Sequence, residues 1–125
     1  MQHSNKRLPD AELSVMQAIW ACQPPVARTA LETILAETHP TAQTTLLTLL
    51  SRLAEKGYVK IEKTGRSARY LPLVTREAYL AEQSRRFFSQ LCGGSVSAFA
   101  TALCSSGLSR EELAQLRELL ERDAL

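Results

Sequence analysis

Four leucines, Leu46, Leu49, Leu50 and Leu53, recur at i, i+3, i+4 and i+7 and form the narrow apolar stripe of an amphipathic helix. The spacing predicts a helix over residues 41–56, with Thr41 placed to cap its start and Gly57 to end it. Its opposite face is unusual. Thr41, Thr44, Thr45, Thr48 and Arg52 project there, Ser51 flanks them, and no acidic residue occurs before Glu55. Solvated helix faces usually carry Glu and Lys, which form helices better than threonine does. A threonine-rich exposed face therefore costs helix propensity and asks for a reason. Short hydroxylated side chains let a helix approach closely inside a DNA major groove about 12 Å wide. Hydroxyls meet phosphates or base edges there, thymine methyls pack on threonine methyls, and Arg52 can reach a phosphate or a guanine edge.

The flanking segments fit around that helix. Residues 9–20 read as a first helix, with Leu13, Met16 and Trp20 on one stripe and Val15 and Ile19 widening it; Gln23-Pro24-Pro25 stops it. Residues 27–37 read as a second, with Leu31, Ile34 and Leu35 buried, ended by Thr38-His39-Pro40. After Gly57, Val59 and Ile61 alternate with Lys60 and Glu62, as in a half-buried strand. Thr64-Gly65-Arg66-Ser67 supplies a turn, Ala68 to Leu71 returns, and Pro72, with no N–H to donate, marks the end of pairing. Lys63, Arg66 and Arg69 cluster at or near the turn, where cations can hold a phosphate backbone or enter a minor groove. Three helices followed by a basic-tipped hairpin is the order of a winged helix-turn-helix. Residues 1–74 are thus expected to bind DNA through Thr41, Thr44, Thr45, Thr48, Arg52, Lys63, Arg66 and Arg69.

Beyond Val74 only helical patterns remain, so the fold class is mainly α with a small β-hairpin. Residues 75–91 carry Leu80, Phe87, Phe88 and Leu91 at helical spacing before Gly93-Gly94 breaks the pattern. Val96, Phe99, Ala100 and Leu103 define the next helix, and Ser105-Ser106-Gly107 interrupts it. Ser109 with Glu112 forms a capping box, framed by Leu108 and Leu113, and opens a last helix presenting Leu113, Leu116, Leu119 and Leu120. Three helices this short leave apolar faces in water when folded alone. A second copy is the simplest cover. Residues 75–125 are expected to be a helical dimerisation region using Phe87, Phe88, Leu91, Val96, Phe99, Leu103, Leu113, Leu116 and Leu120. Packing of these helices onto the head of a monomer is the alternative.

The net charge of +2 is too small to argue with, but its distribution is informative. Nine Lys/Arg stand against six Asp/Glu up to Val74, and six against seven after it, which suits a polyanion-binding head and a neutral association tail. Three cysteines, Cys22, Cys92 and Cys104, are an odd number without metal-ligand spacing, so neither a disulfide framework nor a structural zinc site is expected. A redox-responsive regulator is an alternative, since Cys92 adjoins Gly93-Gly94. His3 and His39 stand apart from any nucleophile or phosphate loop, and no catalysis, metal or cofactor is expected. No stretch approaches the ~20 apolar residues of a membrane span, and the polar start lacks a signal peptide's apolar core. A cytoplasmic location without membrane insertion is the expectation. A winged helix that binds protein is the other class to weigh; such a module would expose apolar residues where this chain has threonines and cations.

Three segments in order carry a family resemblance: LPDAELSVMQAIW in the first helix, TTLLTLLSRLAEKGYV in the third, and GRSARYLPLVTREAYL across the hairpin and beyond. They resemble the BlaI/MecI/CopY family of bacterial repressors over about Leu8 to Leu80, and LSREELAQLRELL still matches near the end. The resemblance implies a homodimeric winged-helix transcriptional repressor on a palindromic double-stranded operator, often with TACA/TGTA half-sites. It places DNA contacts on Thr44, Thr45, Thr48 and Arg52, with Arg66 and Arg69 on the wing. In the β-lactam-responsive branch a membrane sensor-protease pathway cleaves the dimerisation region before a phenylalanine, and the counterpart here is Ala98-Phe99. Ala98 replaces that branch's asparagine, and about three extra residues precede the final helix. The copper-responsive branch carries C-x-C pairs, which this chain lacks. Pro9 stands where a capping threonine is common, and Leu47 occupies a recognition-helix position that is basic in some members.

Overall fold

A computed structural model describes residues 7–123. Its elements are α1 (Asp10–Trp20), β1 (Val26–Ala27), α2 (Arg28–Thr38), α3 (Gln43–Glu55), β2 (Val59–Thr64), β3 (Ser67–Pro72), α4 (Arg76–Arg86), a π-helical turn over Phe87–Leu91, α5 (Val96–Ser105) and α6 (Arg110–Asp123). The chain divides into two compact units, one ending at Gln83 and the other starting at Ser84.

In the first unit the leucine stripe does what its period demands. Leu46, Leu49, Leu50 and Leu53 are all buried, in one core with Val15, Met16 and Ile19 of α1 and Leu31 and Leu35 of α2. The sheet is antiparallel with order β1-β3-β2. Pairing runs from Val59 with Pro72 to Thr64 with Ser67, so only Gly65 and Arg66 turn the hairpin. Gly65 has φ +62°, a left-handed conformation that costs glycine nothing. Strand alternation puts Val59, Ile61 and Lys63 on one face with Tyr70 and Ala68. β1 was not foreseen. Gln23-Pro24-Pro25 ends α1 as expected, but Val26 then pairs with Tyr70, and two residues are too few to show a period.

Thr41 does not cap α3. The helix starts two residues later, its N-cap is Ala42 without a side-chain bond, and the Thr41 hydroxyl donates to the His39 carbonyl at 2.6 Å. Thr41 thus lies one residue before the N-cap position, which Ala42 occupies, so the helix begins too late for the Thr41 oxygen to serve as its cap. The compact unit also continues past Val74. Trp20 Nε1 donates to the Val74 carbonyl at 2.9 Å, and the buried Leu8 N–H donates to the Tyr79 hydroxyl at 2.9 Å. The Tyr79 ring lies 5.7 Å from Trp20 and 6.1 Å from Tyr58, so the start of α4 belongs to this core. Lys56 Nζ meets Glu12 at 2.5 Å and ties the end of α3 to α1.

In the second unit, the Ser95 hydroxyl caps α5 by accepting from the Ala98 N–H at 3.0 Å. The Ser109–Glu112 capping box forms in both directions, at 2.8 and 3.0 Å. The periodic segment expected to stay helical to Leu91 ends in π winding, closed by Cys92 N–H on the Phe87 carbonyl. Phe99 stacks at 5.6 Å from Phe87 and 5.8 Å from Phe88. No residue of α5 or α6 is buried.

Candidate nucleic-acid interface

The buried leucines orient α3 so that its other side meets solvent. Thr44, Thr45, Thr48, Ser51 and Arg52 are all exposed, and Thr41 is half-buried in the linker before the helix. The Thr48 hydroxyl donates to the Thr44 carbonyl at 3.1 Å. That bond uses the hydroxyl's one proton and leaves the oxygen lone pairs free to accept. At 3.6 residues per turn, Thr44, Thr48 and Ser51 occupy the middle of the exposed face, and Thr45 with Arg52 one flank. The other flank belongs to Leu47.

Between that second flank and the hairpin lies a groove of about 360 Å³. α3 lines it with Leu47, Leu50 and Ser51, and the hairpin with Ile61, Lys63, Arg66, Ser67, Ala68, Arg69 and Tyr70. The start of α2 contributes Arg28 and Thr29. The groove thus gathers the three hairpin cations anticipated from sequence. They are not equivalent. Lys63 shares the sheet face of Ile61, whereas Arg69 lies across from Glu62 and in register with Ala27 of β1, in the body of the sheet. Arg66 alone sits in the turn.

Arg28 escaped the sequence reading. It opens α2, where the helix dipole disfavours a cation, and that misfit is the signal that could have found it. Arg28 Nε lies 3.0 Å from Glu32 Oε2, close enough for an ion pair but misaligned for a hydrogen bond. Burial pushes the Tyr70 phenol above its ordinary pKa, and the Arg28 guanidinium partly opposes this. Leu47, a departure from the family pattern in sequence, sits on the rim of the groove, 38% exposed.

A profile of the family described as Penicillinase repressor matches residues 8–122. The chain belongs to the penicillinase repressor family. The "Penicillinase repressor" of Bacillus licheniformis is 30% identical over 93% of this chain and 93% of its own length. The "Methicillin resistance regulatory protein MecI" of Staphylococcus aureus (strain N315) is 26% identical over 98% and 99%. Two solved structures cover 62% of this chain and 94% of their own at 29% identity. One is the solution structure of the Bacillus licheniformis BlaI monomeric form in complex with the blaP half-operator, with a TM-score of 0.50. The other is the DNA-binding domain of the repressor BlaI, with a TM-score of 0.53. The head of this family member is a winged-helix DNA-binding domain, three helices followed by the β2–β3 hairpin.

The remaining sequence candidates scatter differently. Leu91 and Val96 are 78% and 72% exposed, and Phe88, Phe99, Leu103, Leu113 and Leu116 are half-buried. A second, apolar groove of about 380 Å³ runs between α5 and α6, lined by Ala100, Leu103, Cys104, Leu113, Leu116, Arg117, Leu120 and Glu121. Ala98 is exposed in the first turn of α5. Cys22 and Cys92 are half-buried free thiols and Cys104 an exposed one. Among the described residues no cluster of His, Cys, Asp or Glu is placed to hold a metal ion, and no single helix is long and apolar enough to cross a membrane. His39 is an exposed linker residue; His3 lies outside the described residues.

Proposed function

We propose that this chain represses transcription in the cytoplasm as a homodimer that binds a palindromic operator. The observation that carries the reading is the exposed threonine face of α3 beside a groove rimmed by Arg28, Lys63, Arg66 and Arg69. Thr44, Thr45, Thr48 and Ser51 take the base edges, Arg52 a phosphate or guanine, and the wing cations the flanking backbone. The complex of BlaI with the blaP half-operator supports the same use of a similar head. Dimerisation is supported by a second unit whose last two helices bury no residue of their own. Leu103, Leu113, Leu116 and Leu120 from two copies would cover one another there.

Selection of bound sequences from a random duplex pool, followed by a salt titration, tests the reading. A palindrome should be enriched, with affinity falling steeply as salt rises. Enrichment of no motif would instead favour a winged helix that binds protein.

The proposal extends to relief of repression by cleavage between Ala98 and Phe99. Family resemblance is its support. That bond lies in the first turn of α5, with the Ala98 N–H held by Ser95 and Phe99 stacked on Phe87 and Phe88. A protease needs extended backbone, so this turn has to open before cutting. Incubation with the cognate activated sensor should yield a fragment beginning at Phe99; an intact chain would refute this part alone.

A further inference from the structure

We propose that Leu47 is a specificity-determining residue that reads the 5-methyl group of a thymine in the operator. The inference rests on the operator-binding reading above and assigns one residue a base.

The other leucines of α3 are at most 6% exposed, whereas Leu47 is 38% exposed and the only large apolar side chain on the solvent side of this helix. Rotation along α3 places it next to Thr44 and Ser51, on the flank that faces the wing. There it lines the groove with Ser51, Lys63 and Arg66. DNA seated on the threonine face, with its backbone held by Lys63 and Arg66, covers Leu47 as well. A leucine has no donor or acceptor and cannot satisfy a base edge by hydrogen bonding; covering a polar edge with it leaves that edge unpaired. The one apolar feature that a base pair shows in the major groove is the thymine methyl. Leu47 thus selects thymine by apolar contact and disfavours a base that offers a polar group at the same point. The competing role is local: Ile61 and Ala68 line the same groove, and Leu47 could merely extend the core under the wing. A purely structural leucine is indifferent to a methyl on the DNA.

The experiment uses the full chain and the duplex enriched by selection. Each thymine is replaced singly by deoxyuridine, which deletes the methyl and keeps every hydrogen-bonding edge. Burial of one methyl predicts about a fourfold loss of affinity at the thymine under Leu47. In Leu47→Ala and in Leu47→Gln, which retains the side chain's bulk, that position should bind thymine and uracil equally. Uracil-sensitive positions elsewhere in the site should keep their sensitivity. Trp20 fluorescence confirms that each variant's head remains folded. If no thymine is sensitive in the wild type, or if both folded variants keep the wild-type pattern, the assignment is overturned. Failure of the wild type to enrich any sequence overturns the operator reading itself, and this assignment with it.

Discussion

Replacing Lys56 by methionine removes one side of the contact that ties the end of α3 to α1. Glu12 on α1 has a side chain only 5% exposed, and Lys56, just past α3, is 34% exposed. Taking away one partner of a fully buried pair costs about 3–5 kcal/mol, because a desolvated charge is left without compensation. An exposed pair contributes about 0–1 kcal/mol. One buried and one partly wet partner place Lys56→Met between those limits, at roughly 2–3 kcal/mol. The double variant Glu12→Leu/Lys56→Met removes the stranded carboxylate too and should recover most of the loss, to within about 1 kcal/mol of wild type. Urea unfolding at one fixed protein concentration measures both. The only tryptophan, Trp20, lies in the first unit and reports on that unit alone. A Lys56→Met loss below about 0.5 kcal/mol would refute the clamp. So would a double variant as unstable as the sum of the single ones, because independent sites add.

The remaining predictions concern the interfaces and the phenols. Arg52→Ala should weaken binding, whereas Thr48→Ala should change the enriched sequence more than the salt slope; equal, purely electrostatic losses in both would contradict these roles. Leu116→Arg puts a charge into the apolar groove of the second unit and should shift sedimentation from dimer to monomer, so an unchanged mass argues against dimerisation there. Burial raises the pKa of Tyr58, with Tyr79 and Glu82 adding to it, and burial raises that of Tyr70. Above the ordinary value of 10.0 the folded chain therefore holds more protons than the unfolded one, so this stability is complete below that pH and drains away as pH rises through the folded values. Tyrosinate absorbance should show late ionisation, and Tyr58→Phe or Tyr70→Phe should flatten the alkaline loss of unfolding free energy; a loss parallel to wild type would refute the assignment.

How much of this was legible in the sequence depended on whether a feature had a period. The leucine stripe of α3, the Val59–Ile61 alternation and the Ser109–Glu112 box are regular or local, and the chain folds as they prescribe. β1 is two residues long and exists only because Tyr70 in β3 offers Val26 a partner, which no local pattern announces. Thr41 had the chemistry of a cap, but the helix starts at Gln43 and puts Ala42, not Thr41, at the capping position. The place of Tyr79 in the head depended on contacts to Leu8, Trp20 and Tyr58, distant in sequence. In the interface, the threonine face follows directly from helical geometry. The wing-side rim does not. Arg28 reaches it from another helix and Leu47 through a groove that exists only once the hairpin has folded beside α3.

That rim shows how a chain with a net charge of only +2 can serve as a DNA reader. The exposed middle of α3 carries hydroxyls, and its one cation, Arg52, lies on the flank away from the wing. The other cations come from separate elements: Arg28 from α2, and Lys63, Arg66 and Arg69 from the hairpin. Phosphate contacts supply affinity and orientation without regard to sequence, whereas short side chains close to the base edges supply choice. Dividing these tasks among elements lets each vary by itself. On the proposed reading, a substitution on the wing would alter how tightly the head sits, and one at Leu47 or Thr48 would alter where it sits. Within such a proposed division, an apolar residue on the exposed face of α3 need not weaken binding, because the affinity it forgoes would be held by other parts of the head.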